Sequence, residues 1–155
     1  MARTLKVLRH VHDEMIRHCQ LNYPKEACGI LARLKAPRPG EERVAVQGYP
    51  MRNVEDSPIG YSMDPKEQFQ IEKHMRQAGQ EMLAIYHSHT ASDAYPSSVD
   101  VSLAISPDIS YVLVSLKDRD SPIIKSYQID GTSIEPEHLI LEIGAPPGTK
   151  PVGRP

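Results

Sequence analysis

A chain of 155 residues predicts one compact domain, because domains usually hold about 100 to 200 residues. Charged residues make up 25% and hydrophobic residues 39% of the sequence. These fractions are close to globular averages and exclude a wholly disordered or fibrous chain. The net charge of -2 provides no general attraction to nucleic acid or to anionic membranes, so neither is expected as a partner.

The first half of the chain is predicted to form a helix, a β-hairpin and a second helix. Apolar residues recur at helical spacing over 9–22, and a proline follows this segment. The short apolar segment 27–34 and the alternating segment 42–51 are typical of strands, and we expect them to pair with each other. Asp64 is predicted to cap a helix that runs over 65–78, with a proline at its first position and a glycine after its end.

The second half is predicted to contain a central strand, a short helix and another hairpin. The consecutive apolar residues at 82–86 are typical of a strand that is covered on both faces. A serine at 97 or 98 is expected to cap a helix through 105, and the segments 111–116 and 123–129 form the hairpin. The segment 134–143 is ambiguous between a final strand and a helix.

This order of elements predicts an α/β (α+β) fold, in which helices flank a mixed, mostly antiparallel sheet. We expect this single domain to span residues 1–143. Residues 144–155 contain four prolines and three glycines. That composition does not suit a packed element, so the segment is predicted to be a flexible tail outside the fold.

The cysteines and the amino-terminal segment indicate a cytoplasmic protein. Cys19 and Cys28 form neither a disulfide framework nor a cysteine-based zinc motif, so we expect both to be reduced thiols. Residues 1–10 mix basic and apolar side chains and lack the apolar core of an export signal. The sequence also has no apolar run near the roughly 18 residues that span a bilayer.

The most informative segment is HSHTASDAYPSSVD at 87–100, which directly follows the predicted central strand. His87 and His89 are two residues apart, so on a strand they share one face with Cα atoms roughly 6.5 Å apart and can bind one metal ion. Asp100, in the first turn of the next helix, is the nearest carboxylate on a defined element. Two histidines and one aspartate bind zinc and leave a coordination position for water, as in catalytic zinc sites.

Amide hydrolysis at such a site also requires a group that accepts a proton from water and passes it to the leaving amine. Glu26 precedes the first predicted strand, and the period of two places it on the same face as Cys28. A partly buried carboxylate there is suited to exchange a proton near neutral pH. Ser97 is the candidate donor of a hydrogen bond to the oxyanion.

Each of these residues also has a simpler interpretation. Ser97 and Asp100 form an ordinary helix start, with a capping serine and an acid three residues later, and this role is compatible with the catalytic one. Glu26 alone resembles a solvated charge beside Lys25. Cys28 is expected to be a small buried apolar residue and not a nucleophile. The remaining histidines are assigned to the surface: His10, His12, His18, His74 and His138.

Together these residues resemble the JAMM (MPN+) family of zinc metallopeptidases. The resemblance rests on His-Ser-His, seven residues, serine, two residues and aspartate, with an upstream glutamate in PKEACGIL at 24–31. It extends over 9–143 and departs at Thr90, where many members have proline. It implies the JAMM/MPN (cytidine-deaminase-like) fold and one zinc ion per chain. By this resemblance the ligands are His87, His89 and Asp100, the general base and acid is Glu26, and the oxyanion donor is Ser97.

The resemblance also implies a substrate class. Family members cleave the amide bond after the C-terminal Gly-Gly of ubiquitin or a ubiquitin-like protein. The short connection between Asp100 and the strand at 111–116 is similar to that of the stand-alone prokaryotic members. We therefore expect the substrate to be a ubiquitin-like sulfur-carrier protein, which is released from an adduct such as cysteine or trimmed at its tail.

Two alternatives remain from the sequence. One is a general isopeptidase that removes ubiquitin-like modifiers from protein lysines, and the other is a non-catalytic scaffold or binding module with the same fold. The sequence also leaves open the oligomeric state, including a homodimer. Residues 53–60 are predicted to form a loop, and the sequence leaves open whether this loop inhibits the site.

Overall fold

The structure is a computed structural model that describes residues 2–55 and 60–143. The segment 144–155, predicted to be a tail, lies outside the described residues. The described helices are α1 (Arg9–Asn22), α2 (Pro65–Gln77) and α3 (Ser98–Leu103). The described strands are β1 (Thr4–Leu8), β2 (Cys28–Leu34), β3 (Val44–Ala45), β4 (Gln47–Met51), β5 (Gln80–His89), β6 (Ser110–Ser115), β7 (Ile123–Asp130), β8 (Ser133–Pro136) and β9 (His138–Glu142).

The larger sheet has six strands in the order β4-β2-β5-β6-β7-β8. β5 pairs in parallel with β6, and the other neighbours pair antiparallel. The predicted mixed, mostly antiparallel sheet and its central strand are therefore confirmed. Both predicted pairings, β2 with β4 and β6 with β7, are present in this sheet.

A second sheet, with the order β3-β1-β9, was not predicted. β1 alternates buried and partly exposed side chains, but it runs directly into α1 without a turn residue that would mark its end. The single strand predicted over 42–51 is wrong because the chain passes from one sheet to the other at Val46, between β3 and β4. The ambiguous segment 134–143 likewise divides into β8 and β9, on either side of Glu137.

The helix boundaries follow local capping. α1 has the predicted bounds, and α2 begins after Asp64, whose carboxylate accepts the N–H of Lys66 at 3.2 Å. α3 ends earlier than predicted, because the Tyr111 hydroxyl accepts the N–H groups of Ile105 and Ser106 at 2.7 Å and 3.1 Å. In the described ranges, the helices lack the length and apolar character needed to cross a membrane.

The larger sheet is covered on both faces. α1 packs its buried Val11, Met15 and Cys19 into a core cluster that includes Leu31 and Tyr86. The other face of β2 carries Cys28, Ile30 and Ala32, which pack with Met75 of α2. Cys28 is fully buried and both cysteines are free thiols, as predicted. The alternation along β2 and β5 thus assigns one face to α1 and the other to the candidate site.

Candidate active site

Three side chains from two elements converge at one end of β5. His87 and His89 project from the same face, with their Nε2 atoms 3.2 Å apart. Asp100 on α3 places Oδ1 3.1 Å from Nε2 of His87 and Oδ2 3.0 Å from Nε2 of His89. The three residues named as metal ligands from the sequence are therefore brought together, with their ligand atoms within 4.8 Å of one another.

The hydrogen bonds of His89 indicate that the cluster suits a cation. Nδ1 of His89 lies 2.8 Å from the carbonyl oxygen of Asp93. Because that oxygen only accepts, Nδ1 carries a proton and Nε2 of a neutral ring presents its lone pair to Asp100. Two acceptors at 3.0 Å attract each other only when a proton or a metal ion lies between them.

The charges of the three groups agree with this interpretation. Burial lowers the pKa of His87 despite the attraction of Asp100, which favours the neutral imidazole that binds metals. Burial also opposes ionisation of Asp100, but hydrogen bonds from His87 and His89 lower its pKa overall. For His89, burial acts to lower the pKa and is outweighed by Asp100 and the carbonyl of Asp93, so its pKa rises and a proton on Nε2 competes with a metal ion for the position between the imidazole and Asp100. Two imidazoles and an ionised carboxylate form a donor set typical of zinc.

Glu26 lies beside the triad because of the pairing of β2 with β5. Cys28 pairs with His87, and the antiparallel register continues toward Glu26 and His89. Ser88 links the two segments beyond the strand end, since its N–H donates to the carbonyl of Ala27 at 3.0 Å and its Oγ accepts the N–H of Ala27 at 2.8 Å. The simpler interpretation of Glu26 as a solvated charge is wrong, because the residue is only 7% exposed.

Burial gives Glu26 a carboxyl group that exchanges protons near neutral pH. Burial raises the pKa of Glu26 to about 7, while His89 lowers it and the negative charges of Asp100 and Glu55 raise it. The side chain of Asn53 donates to the carbonyl of Glu26 at 2.9 Å and also to the carbonyl of Gly60 at 2.9 Å. Asn53 therefore fixes the backbone that carries the carboxylate.

Ser97 is the N-cap of α3, as predicted. Its Oγ accepts the N–H of Asp100 at 3.1 Å, and its own N–H donates to Oδ2 of Asp100 at 2.8 Å. This capping box aims the aspartate carboxylate at the histidines, so the structural and site interpretations of Asp100 coincide. Since Oγ acts as an acceptor in this bond, the hydroxyl hydrogen remains to be donated to another group.

Sequence reasoning did not assign site roles to Tyr61, Asn53 and Ser88. The ring of Tyr61 stacks on the imidazole of His87, with centroids 4.5 Å apart and planes at 28°. Tyr61 and Asn53 reach the site through contacts between distant segments, so no local sequence pattern marked them. Ser88 lies within the His-Ser-His motif, but its hydrogen bonds to Ala27 depend on the pairing of distant segments. The surface assignment of His18 also requires correction, because its ring is partly buried and its Nδ1 lies 2.6 Å from the hydroxyl of Tyr86.

Two cavities adjoin the site. The first, which we call the Glu26 cleft, has a volume of about 620 Å³ and is lined by His18, Asn22, Lys25, Glu26, Pro50, Met51, Arg52, Asn53 and Val54. The second, the His87 pocket, has a volume of about 260 Å³ and is lined by Tyr61, Met63, Gln68, Ile85, His87, Pro96, Asp100, Leu103, Ile105, Tyr111, Leu113 and Ile129. Glu26 lines one cavity and two of the candidate ligands line the other.

A triad of side chains that can ligate a metal ion, with a buried glutamate beside it, is typical of metal-dependent hydrolases. The chain belongs to the family of prokaryotic homologs of the JAB domain, whose model matches residues 8–130. It is similar to a JAB1/MPN domain protein from Archaeoglobus fulgidus, with a TM-score of 0.56, 17% identity and coverage of 88% of this chain and 98% of that one. The JAMM/MPN fold predicted from the sequence is thereby confirmed.

Curated relatives are similar in sequence over much of the chain. The CysO-cysteine peptidase of Mycobacterium tuberculosis is 40% identical over 131 residues, which cover 84% of this chain and 86% of the relative. A probable TtuB-protein conjugate cleaving protease of Thermus thermophilus is 37% identical over 101 residues, which cover 64% of this chain and 63% of the relative. One name describes a peptidase and the other a protease that cleaves a protein conjugate, so both relatives are hydrolases.

Proposed function

We propose that this chain is a zinc-dependent peptidase that hydrolyses the amide bond after the C-terminal Gly-Gly of a ubiquitin-like sulfur-carrier protein. The reaction would release an adduct such as cysteine or trim the tail of the carrier. The observation that carries the proposal is the convergence of His87, His89 and Asp100 within 4.8 Å, with the buried Glu26 across the strand pair. The mycobacterial relative, a CysO-cysteine peptidase at 40% identity, supports the substrate class.

His87, His89 and Asp100 would hold the zinc ion. Zinc supplies Lewis acidity at such a site, since it makes water a stronger acid and polarises a carbonyl group. Nε2 of His89 is prepared for this role because the carbonyl of Asp93 holds the proton of the ring on Nδ1. The capping box with Ser97 keeps the Asp100 carboxylate in place.

Glu26 would transfer the proton in both halves of the reaction. A carboxylate oxygen of Glu26 accepts a proton from the attacking water and later returns it to the nitrogen of the leaving amine. In the metal-free protein burial raises the pKa of this carboxyl to about 7, and a zinc ion at the triad would favour the ionised form that accepts the proton. The hydroxyl hydrogen of Ser97, which is not used in the bond to Asp100, would stabilise the negative oxygen that forms on the substrate.

The proposal is tested by incubating the purified protein with ubiquitin-like sulfur carriers that extend past Gly-Gly by cysteine or a short peptide. Mass spectrometry, with and without a chelator, identifies the bond that is cut and the metal requirement. We expect cleavage after the second glycine, loss of activity with the chelator and recovery with zinc. A zinc-loaded protein that leaves every such carrier intact would refute the proposed substrate class.

A general isopeptidase is the second candidate, and the name of the Thermus relative favours it. Such an enzyme would release the carrier from lysine side chains of proteins, which a carrier joined to the ε-amine of lysine tests in the same assay. A non-catalytic binding module would retain carrier affinity and show no turnover with zinc bound.

We further propose that the enzyme acts in the cytoplasm, since its two cysteines are free thiols, as is usual in a reducing compartment.

A further inference from the structure

The two cavities differ in the charge of the side chains that line them. The Glu26 cleft contains two cationic side chains, Lys25 and Arg52, and within the described chain Glu26 is its sole lining carboxylate. The His87 pocket has no cationic lysine or arginine among its described lining residues, and Asp100 is its carboxylate. Both Glu26 and the triad must contact the bond to be cleaved. This bond therefore lies between the cationic Glu26 cleft and the apolar, acidic His87 pocket.

The proposed proton transfer fixes which part of the substrate occupies each cavity. Glu26 returns a proton to the leaving nitrogen and also lines the Glu26 cleft, so this cleft is available to the group on that nitrogen. The acyl side of the bond then extends toward the His87 pocket. That pocket, at about 260 Å³, is small and lined by side chains such as Leu103 and Tyr111. Glycines, which have no side chain, suit such a close approach.

The guanidinium group of Arg52 has donors left for an additional anion. Arg52 is 72% exposed at its side chain, and one of its nitrogens, Nη2, lies 3.3 Å from Oδ2 of Asp64. A guanidinium group has five N–H donors in a planar fork, so this single long contact leaves most of them for a carboxylate. Lys25 adds an ammonium group from the segment that also carries Glu26.

We propose that the Glu26 cleft is a subsite for the carboxylate of the leaving group. The preferred substrate, within the proposed function on which this inference rests, is then a carrier joined to an amino acid or short peptide that keeps its free carboxylate. A volume of about 620 Å³ accommodates such a group. An isopeptide substrate, in which the carrier is joined to a lysine side chain of another protein, has no carboxylate next to the cleaved bond. Its binding is therefore not strengthened by Lys25 and Arg52.

The test compares two substrates that differ in one group. A ubiquitin-like sulfur carrier ending in Gly-Gly is prepared as its thioester and ligated either to cysteine or to cysteinamide. We expect kcat/KM of the zinc-loaded enzyme to be about tenfold higher for the cysteine adduct, the scale of a partly solvated charge-assisted hydrogen bond. Added salt should reduce this ratio, because exposed charges are screened.

Substitutions of Lys25 and Arg52 test whether the cleft causes the preference for the cysteine adduct. Arg52→Gln and Lys25→Gln should each bring the ratio of the two kcat/KM values closer to one. Arg76→Gln removes the same charge from an exposed position on α2 and should leave the ratio unchanged. Circular dichroism and zinc content establish that each variant is folded and loaded. A ratio near one in the parent enzyme, or a ratio unaffected by both cleft variants, would overturn the subsite while leaving the peptidase intact. Failure to cleave either adduct would instead refute the proposed function.

Discussion

Replacing Glu26 with glutamine tests the burial of this side chain and its part in the reaction. Burial raises the pKa of Glu26 from its usual 4.5 to about 7, so ionisation is less favourable in the folded than in the unfolded protein. Below pH 4.5 the carboxyl is protonated in both states and has no effect on stability. Between pH 4.5 and about 7 the carboxyl ionises in the unfolded state before it does so in the folded state. Above about pH 7 the folded metal-free protein is therefore destabilised by about 3 kcal/mol.

We therefore expect Glu26→Gln to increase the free energy of unfolding of the metal-free protein by up to about 3 kcal/mol near pH 8 and by much less near pH 4. Urea denaturation at both pH values measures the difference. Glu135→Gln, at an exposed position of β8, is the matched control and should show no comparable pH dependence. An effect of Glu26→Gln that is equal at the two pH values would refute the reasoning from burial.

The same variant should lose activity while it gains stability. Removal of a general base and acid typically reduces turnover by about 100-fold or more, so kcat of zinc-loaded Glu26→Gln should fall on that scale. A zinc ion at the triad attracts the Glu26 carboxylate and should reduce the pH dependence of stability in the loaded protein. Unchanged turnover in the variant, with zinc bound, would remove Glu26 from the mechanism.

Three further predictions concern the metal, the packing and the support of the site. His89→Ala should lose bound zinc, and a full equivalent of zinc by elemental analysis would contradict its role as a ligand. Gly29→Ala should lower the free energy of unfolding by about 1 to 3 kcal/mol, because a Cβ there overlaps the ring of Tyr86. Gly48→Ala is its control in the adjacent strand, since its nearest neighbour would lie 3.5 Å away; equal denaturation midpoints for the two variants would count against this overlap. Asn53→Ala should lower kcat more than zinc content, because the lost hydrogen bonds hold the backbone of Glu26, whereas a proportional loss of zinc would point to a general structural role.

Much of the candidate site could be predicted from the sequence because its parts are local. The spacing of His87 and His89 on a strand fixes their common face, and a serine three residues before Asp100 fixes the helix start that aims the carboxylate. The bounds of α1 and the start of α2 likewise follow from apolar spacing and from a capping aspartate before a proline. Each of these features depends on backbone geometry within one or two turns.

Other features were decided only by the tertiary structure. β1 and the strand switches at Val46 and Glu137 depend on partners distant in sequence, and a period of two does not specify which sheet a strand joins. Periodicity placed Glu26 on the correct face, but its position across from His89 depends on the register of β2 against β5. The linking hydrogen bonds of Asn53 join segments that the sequence separates. The sequence alone therefore determined the chemical groups and their local directions, whereas long-range pairing determined which of those groups meet, because hydrogen-bond register and packing are properties of the folded chain as a whole.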